Sequence, residues 1–174
     1  MSLTTARLDL RPCTPAQILS LIEHPERFEA LTGLPLAAGL REMVTSEAVS
    51  PEWLAILRVS HGADPWRFGF FLTHPVATAV IGTAGFKGPP DAAGTVEIAY
   101  GIAPGFEGQG YATEAAAALV AFAFATPTVA LVRAHTLPVP NASTRVLTKC
   151  GFRHSGDIVD PDDGPVWRWE RARS

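Results

Sequence analysis

The chain has 174 residues, of which 47% are hydrophobic and 18% are charged, and its formal net charge is −3 at pH 7. These values indicate one globular domain spanning residues 1–174 and exclude an intrinsically disordered chain. No cluster of lysine and arginine provides the footprint of nucleic-acid binding, and the longest apolar run, from Ala115 to Ala125, is too short to span a membrane.

Periodicity and turn residues predict a mixed sheet with helices packed on it, because strands are followed by interleaved helices. In chain order, the pattern predicts a strand at Leu8–Arg11, a helix from Pro15 to about Ile22, short helical segments within residues 26–59, strands at Phe68–Thr73 and Val80–Lys87, a loop at Gly88–Gly94, a strand at Thr95–Ile102, a helix at Gln109–Ala125, a strand at Val129–Thr136, a helix at Ala142–Cys150, and strands at Phe152–Val159 and Val166–Arg171.

The cysteines and the first residues contain no redox or targeting motif. Cys13 and Cys150 form neither a disulfide framework nor a Cys-x-x-Cys pair, and the first residues lack the layout of a signal peptide. We therefore expect a protein of the reducing cytoplasm. His135 and His154 do not combine with Cys150 at the spacing of metal ligands, so we expect no metal site.

The stretch from Val96 to Ala115 is the most informative about function. A strand leads through a proline into a turn with glycines at Gly105, Gly108 and Gly110, and an alanine-rich helix follows. Such a turn directs free N–H groups and the positive end of a helix dipole at a ligand. The sequence therefore predicts an anion site made of main chain and suited to phosphate.

Four interpretations of this turn compete. A P-loop requires a lysine after the last glycine, and none follows Gly110. A dinucleotide-binding fingerprint requires a different glycine spacing and an acidic residue about 20 residues further on, where this chain has residues 130–133. The pyrophosphate of coenzyme A is the third candidate. An ordinary strand-to-helix connection without a ligand is the fourth.

Two segments resemble the GNAT superfamily of acyl-CoA-dependent N-acyltransferases. Gly108-Gln-Gly-Tyr-Ala-Thr-Glu-Ala115 resembles its main motif, and residues 140–152 resemble its later helix, which ends in Lys-x-Gly-Phe. The opening at residues 5–12 is similar to the first strand of the Rim-type branch, which acetylates protein N-termini and small amines. The resemblance covers nearly the whole chain. It implies an α/β (α+β) GNAT fold, with a mixed, mostly antiparallel central sheet of about six to seven strands, flanking helices, and a splayed strand pair that holds CoA.

The same resemblance implies acetyl-CoA as the cosubstrate and an amine as the acceptor. The residues that it places against CoA are Ile102, Ala103, Glu107, Gly108, Gln109, Gly110, Tyr111, Ala112, Thr113, Asn141, Ser143 and Arg145. Two of these depart from the family pattern. Glu107 stands where the family has arginine or glutamine, and Asn141 follows Pro140, which occupies the position of the family's asparagine.

The strand at Thr95–Ile102 predicts the floor of the site. Side chains alternate between the two faces of a strand, so one face is bulky and apolar and the other is small except for Glu97. Glu97 matches an acidic position in family members and is our candidate base for the amine proton. The alternative is a structural role, in which Glu97 pairs with an arginine or caps a backbone group.

The CoA thiolate also needs a donor as it leaves. Many family members use a tyrosine on the last helix, but that position is Leu147 here. Rim-type members have a serine one turn earlier, which matches Ser143, our second catalytic candidate. The alternative is that Ser143 satisfies a backbone N–H in the first turn of its helix.

The sequence thus predicts an acetyltransferase that transfers an acetyl group directly from acetyl-CoA to a primary amine in a ternary complex. The amine belongs to a protein N-terminus or to a small molecule. We expect neither nucleic acid nor a membrane as a partner, and a homodimer is the assembly to consider. Two other functions stay open, namely a CoA-binding module without catalysis and the dinucleotide-binding domain of an oxidoreductase.

Overall fold

Eight strands form one open sheet in the computed structural model, which describes all 174 residues. The strands are β1 (Leu3–Thr4), β2 (Asp9–Pro12), β3 (Phe70–His74), β4 (Ala79–Phe86), β5 (Thr95–Ile102), β6 (Leu131–Thr136), β7 (Arg153–Asp160) and β8 (Gly164–Ala172). The helices are α1 (Pro15–Glu23), α2 (Phe28–Thr32), α3 (Leu40–Val44), α4 (Pro51–Val59), α5 (Pro65–Phe68), α6 (Tyr111–Ala125) and α7 (Ala142–Lys149). No helix is long and apolar enough to cross a membrane.

The strand order is β1-β2-β3-β4-β5-β6-β8-β7, and only the β5–β6 pair is parallel. The mixed, mostly antiparallel sheet is therefore confirmed, although it has eight strands rather than six or seven. The dinucleotide-binding alternative is wrong, because that fold is built on a mainly parallel, doubly wound sheet.

Local sequence signals explain where the helices begin and end. Thr14 caps α1 by accepting a hydrogen bond from the Gln17 N–H, as its position before Pro15 predicts. Helix α6 begins at Tyr111 rather than at Gln109, because Gly110 has a left-handed backbone with φ of 86°. The first α6 residue therefore lies directly after the glycine turn.

Predicted strand starts are wrong for β6, which begins at Leu131 rather than Val129, and for β3, which begins at Phe70 rather than Phe68. Phe68 ends the short helix α5 and does not begin β3, because the Asp64 side chain accepts hydrogen bonds from the first N–H groups of α5. Gly69 then separates α5 from β3 with a φ of 69°.

Each face of the sheet carries its own apolar core. Helices α6 and α7 cover the larger core, which includes Ile98, Leu119 and Leu147. Helices α1 to α4 cover the smaller core, which includes Leu21 and Phe71. The sheet thus separates the α6–α7 side of the protein from the α1–α4 side.

The parallel strands β5 and β6 separate partway along their length. They pair only over Thr95–Glu97 and Leu131–Arg133, whereas β5 continues to Ile102 and β6 to Thr136. We call the space between the unpaired parts of these strands the gap. It is the splayed strand pair that the family resemblance implies.

Candidate active site

The glycine turn before α6 presents a row of free backbone N–H groups. Within the protein, no acceptor takes the N–H of any residue from 108 to 113, and the first intrahelical bond runs from the Glu114 N–H to the Gly110 carbonyl. Gly110, the N-cap residue, has no side chain to bond these donors. Unpaired N–H groups at a helix N-terminus bind anions, so this turn can hold phosphate groups.

Glycine is required at two positions of this turn. Gly108 and Gly110 have φ angles of 72° and 86°, a region that other residues rarely adopt. Gly105, in contrast, has no positive φ and lies in the preceding turn of 3₁₀-helix. The requirement for a positive φ therefore applies to Gly108 and Gly110 and not to Gly105.

A hydrogen-bonded clamp ties this turn to the beginning of the chain. The Glu114 carboxylate accepts hydrogen bonds from the Thr5 hydroxyl at 2.6 Å, from the Arg7 backbone at 2.8 Å and from the Arg7 guanidinium at 2.6 Å. Arg7 also donates to the Gln109 carbonyl at 2.8 Å and lies 4.4 Å from the centre of the Tyr111 ring. Burial raises the pKa of Glu114, but these donors outweigh it and hold the pKa below its usual value.

The free N–H groups open into a cleft of about 900 Å³, which we call the turn cleft. Its other wall is the exposed side of α7, where Arg145 and Lys149 stand one helical turn apart with no carboxylate partner. Glu107 also lines the cleft and is exposed. The turn cleft therefore combines two free cations with one carboxylate, a balance that suits an anionic ligand.

The gap adds further main-chain donors. The Lys87 N–H bonds to the Glu97 carbonyl and the Ala103 N–H bonds to the Ile81 carbonyl, so the odd-numbered residues of β5 direct their backbone groups at β4. Because these groups alternate in an antiparallel pair, Tyr100 and Ile102 direct theirs into the gap. The family resemblance places Ile102 and Ala103, at the end of β5, against CoA. Ile102 has free backbone groups, whereas the Ala103 N–H is already bonded to the Ile81 carbonyl.

Glu97 lies at the start of the gap in a chain of polar contacts. Its carboxylate lies 2.9 Å from the Lys87 ammonium and 2.9 Å from His135 Nδ1. Arg168 donates to His135 Nε2 at 3.1 Å, so Nε2 has no proton and Nδ1 donates to Glu97. Burial raises the pKa of Glu97, but Lys87 and His135 outweigh it and hold the pKa below its usual value.

Glu97 belongs to a second cleft of about 390 Å³, which we call the acidic cleft. Four carboxylates line it, against the single ammonium of Lys87: Glu47, Glu97, Asp162 and Asp163. The charges lining this cleft are unbalanced, and the excess of negative charge favours a cationic ligand such as a protonated amine.

A third cleft of about 680 Å³, the apolar cleft, lies on the α1–α4 side of the sheet. Aromatic and aliphatic side chains form most of its wall, with Ala99 and Gly101 of β5 at its base: Ile18, Leu21, Met43, Trp53, Phe68 and Phe71. The small face of β5 predicted from the sequence therefore opens into this cleft.

The two α7 candidates have different surroundings. Asn141 is the N-cap of α7, and its side-chain oxygen accepts the Thr144 N–H at 3.0 Å. Ser143 bonds no backbone N–H, because Asn141 already caps the helix, and its side chain lines both the turn cleft and the acidic cleft. The structure therefore brings Ser143 and Glu97 to one cleft, whereas the Asn141 oxygen is occupied by capping.

Sequence reasoning missed several residues at this site. Three of them are Lys87 and His135, which contact Glu97, and Arg7, which contacts Glu114. The partners lie 10 to 107 positions apart in the chain, and no local sequence pattern predicts such pairs. Lys149 could have been found, since it lies one helical turn after Arg145 on the same face. Tyr100 lies on the bulky, apolar face of β5, and side-chain alternation predicts a core position there rather than a place in the site.

The comparisons with known proteins agree with this geometry. The sequence model of the acetyltransferase (GNAT) domain family matches residues 7–153 of the chain. No curated protein sequence matches the chain significantly.

Solved structures of similar fold are acetyltransferases. One described as a GNAT-family acetyltransferase from Bordetella pertussis is 25% identical, with a TM-score of 0.65, over 99% of each chain. The ribosomal-protein alpha-N-acetyltransferase RimL, solved with coenzyme A, is 14% identical, with a TM-score of 0.68, over 99% of this chain and 98% of RimL. An aminoglycoside acetyltransferase, also solved with coenzyme A, is 20% identical, with a TM-score of 0.59, over 95% of each chain.

Proposed function

This chain belongs to the GNAT family of acetyltransferases, and from that premise we propose that it transfers the acetyl group of acetyl-CoA directly to a primary amine that carries an apolar group. One observation carries the proposal: the anion-binding turn cleft and the acidic cleft share Tyr100 and Ser143 as lining residues, beside the gap between β5 and β6. Acetyl-CoA and the amine can therefore meet at the point that the two clefts share.

Acetyl-CoA is assigned to the turn cleft on the chemistry of its lining. The free N–H groups of residues 108–113 would bond the pyrophosphate, and Arg145 and Lys149 would neutralise phosphate charge. The backbone groups of Tyr100 and Ile102 would bond the amide groups of the pantetheine arm along the gap.

The acceptor is assigned to the acidic and apolar clefts. A protonated amine is attracted by the carboxylates of Glu47, Glu97, Asp162 and Asp163, and it must lose a proton before it attacks the thioester. Glu97 accepts that proton through a water molecule, because its own contacts with Lys87 and His135 leave it ionised but only weakly basic. An apolar substituent on the amine fits the wall of Trp53 and Phe71 in the apolar cleft.

The test is a panel of amines assayed by release of the CoA thiol, after thermal shift with acetyl-CoA, free CoA and NAD(H). The panel contains an arylalkylamine, a peptide with a free N-terminus, a polyamine and an aminoglycoside. We expect stabilisation by acetyl-CoA and by CoA, none by NAD(H), and the highest kcat/KM for an amine with an apolar group. At 100 times its Kd, a ligand adds about 2.7 kcal/mol to the free energy of unfolding.

Two results would contradict this proposal in different ways. Binding of CoA without transfer to any amine would favour the non-catalytic CoA-binding module. Transfer with a preference for the polyamine over the arylalkylamine would keep the acetyltransferase and remove the apolar cleft from acceptor binding.

A further inference from the structure

We propose that the Tyr100 hydroxyl donates the hydrogen bond that stabilises the CoA thiolate as it leaves, and that the Ser143 hydroxyl beside it donates to the phenol oxygen. This inference rests on the acetyl transfer proposed above. Tyr100 is the only residue that lines the turn cleft, the acidic cleft and the apolar cleft together. It therefore lies at the point where the thioester and the amine meet.

The other donors at this junction are already engaged. The Thr136 hydroxyl donates to the Leu137 carbonyl and accepts from the Trp169 indole N–H. His135 Nδ1 donates to Glu97, and the Lys87 ammonium contacts Glu97 and Asp163. Among the polar side chains of the acidic cleft, Ser143 and Tyr100 remain to face a sulfur atom.

Leu147 cannot take this part. It lies on α7 at the position where the family resemblance implies a tyrosine, and it is buried in the larger core with 1% of its surface exposed. Tyr100 lies on β5, which lines the turn cleft together with α7, and its phenol lies at the same junction. The structure thus replaces the missing hydroxyl from β5 rather than from the helix.

The order of the two hydroxyls follows from their acidity. Burial raises the pKa of Tyr100 to about 12, the neighbouring Ser143 hydroxyl lowers it by less, and Cys150 nearby raises it. The phenol therefore keeps its proton near neutral pH, and Ser143 donates to the phenol oxygen while Tyr100 donates onward. A phenol is a stronger hydrogen-bond donor than an alkyl hydroxyl, which favours this direction.

The step balances without transfer of the Tyr100 proton. The amine nitrogen bonds to the acetyl carbon and releases its proton to water beside Glu97. The C–S bond then breaks, and its electron pair passes to sulfur, which accepts the Tyr100 hydrogen bond as a thiolate. A proton from solvent later converts the thiolate to the free thiol, so that acetyl-CoA and amine give amide and CoA.

Tyr100→Phe tests the proposal, since it removes one oxygen atom and keeps the ring. We expect a single-turnover rate about 10²-fold below that of the parent, with KM for acetyl-CoA within about threefold and an unchanged Tm. Ser143→Ala should lower the single-turnover rate less than Tyr100→Phe does. The double variant Tyr100→Phe/Ser143→Ala should be about as slow as Tyr100→Phe alone. Thr148→Ala is the control, because its hydroxyl is on α7 but bonds the Thr144 carbonyl and lines none of the three clefts.

A second measurement separates a thiolate donor from a packing role. The pKa of the CoA thiol in the binary complex, followed by the ultraviolet absorbance of the thiolate, should rise by about one unit in Tyr100→Phe. A packing role would leave this pKa unchanged.

Should Tyr100→Phe not fold, fluorotyrosine incorporation replaces it. The chain has only two tyrosines, so in a Tyr111→Phe background only Tyr100 is labelled. Labelled and unlabelled Tyr111→Phe proteins are compared, so that any effect of losing the Tyr111 hydroxyl is common to both. Fluorination makes the phenol more acidic, so Tyr100 should lose its proton at lower pH. The alkaline limb of the plot of single-turnover rate against pH should therefore move to lower pH. The other titratable groups facing this junction are the same in both preparations: Glu47, Lys87, Glu97, His135, Cys150, Asp162 and Asp163.

The outcomes distinguish this inference from the proposed function. Transfer by the parent together with a full rate or an unchanged thiol pKa in Tyr100→Phe overturns the role of Tyr100 alone. No transfer by the parent to any amine overturns both.

Discussion

At the scale of single residues, the contacts of Glu97 determine what kind of base it can be. Two donors hold its carboxylate ionised at neutral pH, so its affinity for a proton is low. A general base works best with a pKa near the operating pH, and Glu97 lies on the acidic side of that optimum. We therefore expect the amine proton to pass through water to a carboxylate that is ionised at neutral pH but is only a weak base.

Glu97→Gln should lower kcat by about 10²-fold and leave KM for acetyl-CoA unchanged. Because the pKa of Glu97 is lowered from its usual 4.5, the acidic limb of the kcat profile should lie below pH 4.5 in the parent and disappear in the variant. The same carboxylate stabilises the fold above pH 4.5, and this contribution is lost as the pH falls through its lowered pKa. Activity close to that of the parent, with the acidic limb retained, would leave Glu97 a structural role only.

Glu107 carries the least expected charge at the site. Its carboxylate lines the turn cleft, where a phosphate about 4 Å away would be repelled by about 1–4 kcal/mol, depending on screening. Glu107→Gln should lower KM for acetyl-CoA, more at low than at high ionic strength, with kcat hardly changed. Glu29→Gln, an exposed acid away from the three clefts, is the matched control. An equal KM at low salt would show that the Glu107 carboxylate faces away from the phosphates.

At the scale of elements, the turn before α6 depends on two glycines for different reasons. A Cβ at Gly108 would meet no atom within 4 Å, whereas a Cβ at Gly110 would lie 3.1 Å from Arg7 Nη2. A side chain at Gly110 therefore disturbs the clamp as well as the backbone, and it does not simply fill the phosphate approach. That reason could not be read from the sequence.

Gly110→Val should abolish most of the thermal shift given by acetyl-CoA and should lower the Tm of the free protein as well. A left-handed backbone costs a non-glycine residue about 1–2 kcal/mol, and the clash with Arg7 adds to this cost. Gly105→Ala is the control in the same turn, since Gly105 has no positive φ and a Cβ there meets no neighbour. A normal acetyl-CoA shift in Gly110→Val would place the cosubstrate elsewhere.

Much of the element pattern could be predicted because its signals are local. The cap at Thr14, the left-handed Gly151 after α7 and the alternation along β5 each depend on residues a few positions apart. The sequence could not predict the two-residue strand β1, which exists only because Leu3 and Thr4 pair with β2. Nor could it predict the His135 contact with Glu97, since that contact depends on where β5 and β6 separate.

At the scale of the whole molecule, the clamp joins the start of the chain to its functional centre. Thr5 and Arg7 precede β2, whereas Glu114 and the Gln109 carbonyl belong to the turn and helix that follow β5. The turn is thus held from behind by a segment that does not itself line the turn cleft. Order in the N-terminal segment and order in the anion site should rise and fall together.

Arg7→Ala should weaken acetyl-CoA binding by about two- to fivefold, the equivalent of the modest free energy of an exposed ion pair. Arg7→Lys should recover little of this loss, because lysine keeps the charge but cannot bond Glu114 and the Gln109 carbonyl in the same planar geometry. Calorimetric titration with acetyl-CoA measures both variants. Full recovery by lysine would show that charge alone matters.

The free N–H groups of residues 108–113 also determine how this site can change over many generations of substitution. A binding site made of backbone N–H groups does not depend on most of the side chains at its positions. Most replacements at Gln109, Ala112 or Thr113 therefore leave its donors in place. A proline at one of these positions or a change of backbone path removes its donors, and the backbone path depends on Gly108 and Gly110. Within the turn, substitutions of these two glycines are therefore the ones most able to abolish anion binding, while most substitutions at the other positions are tolerated.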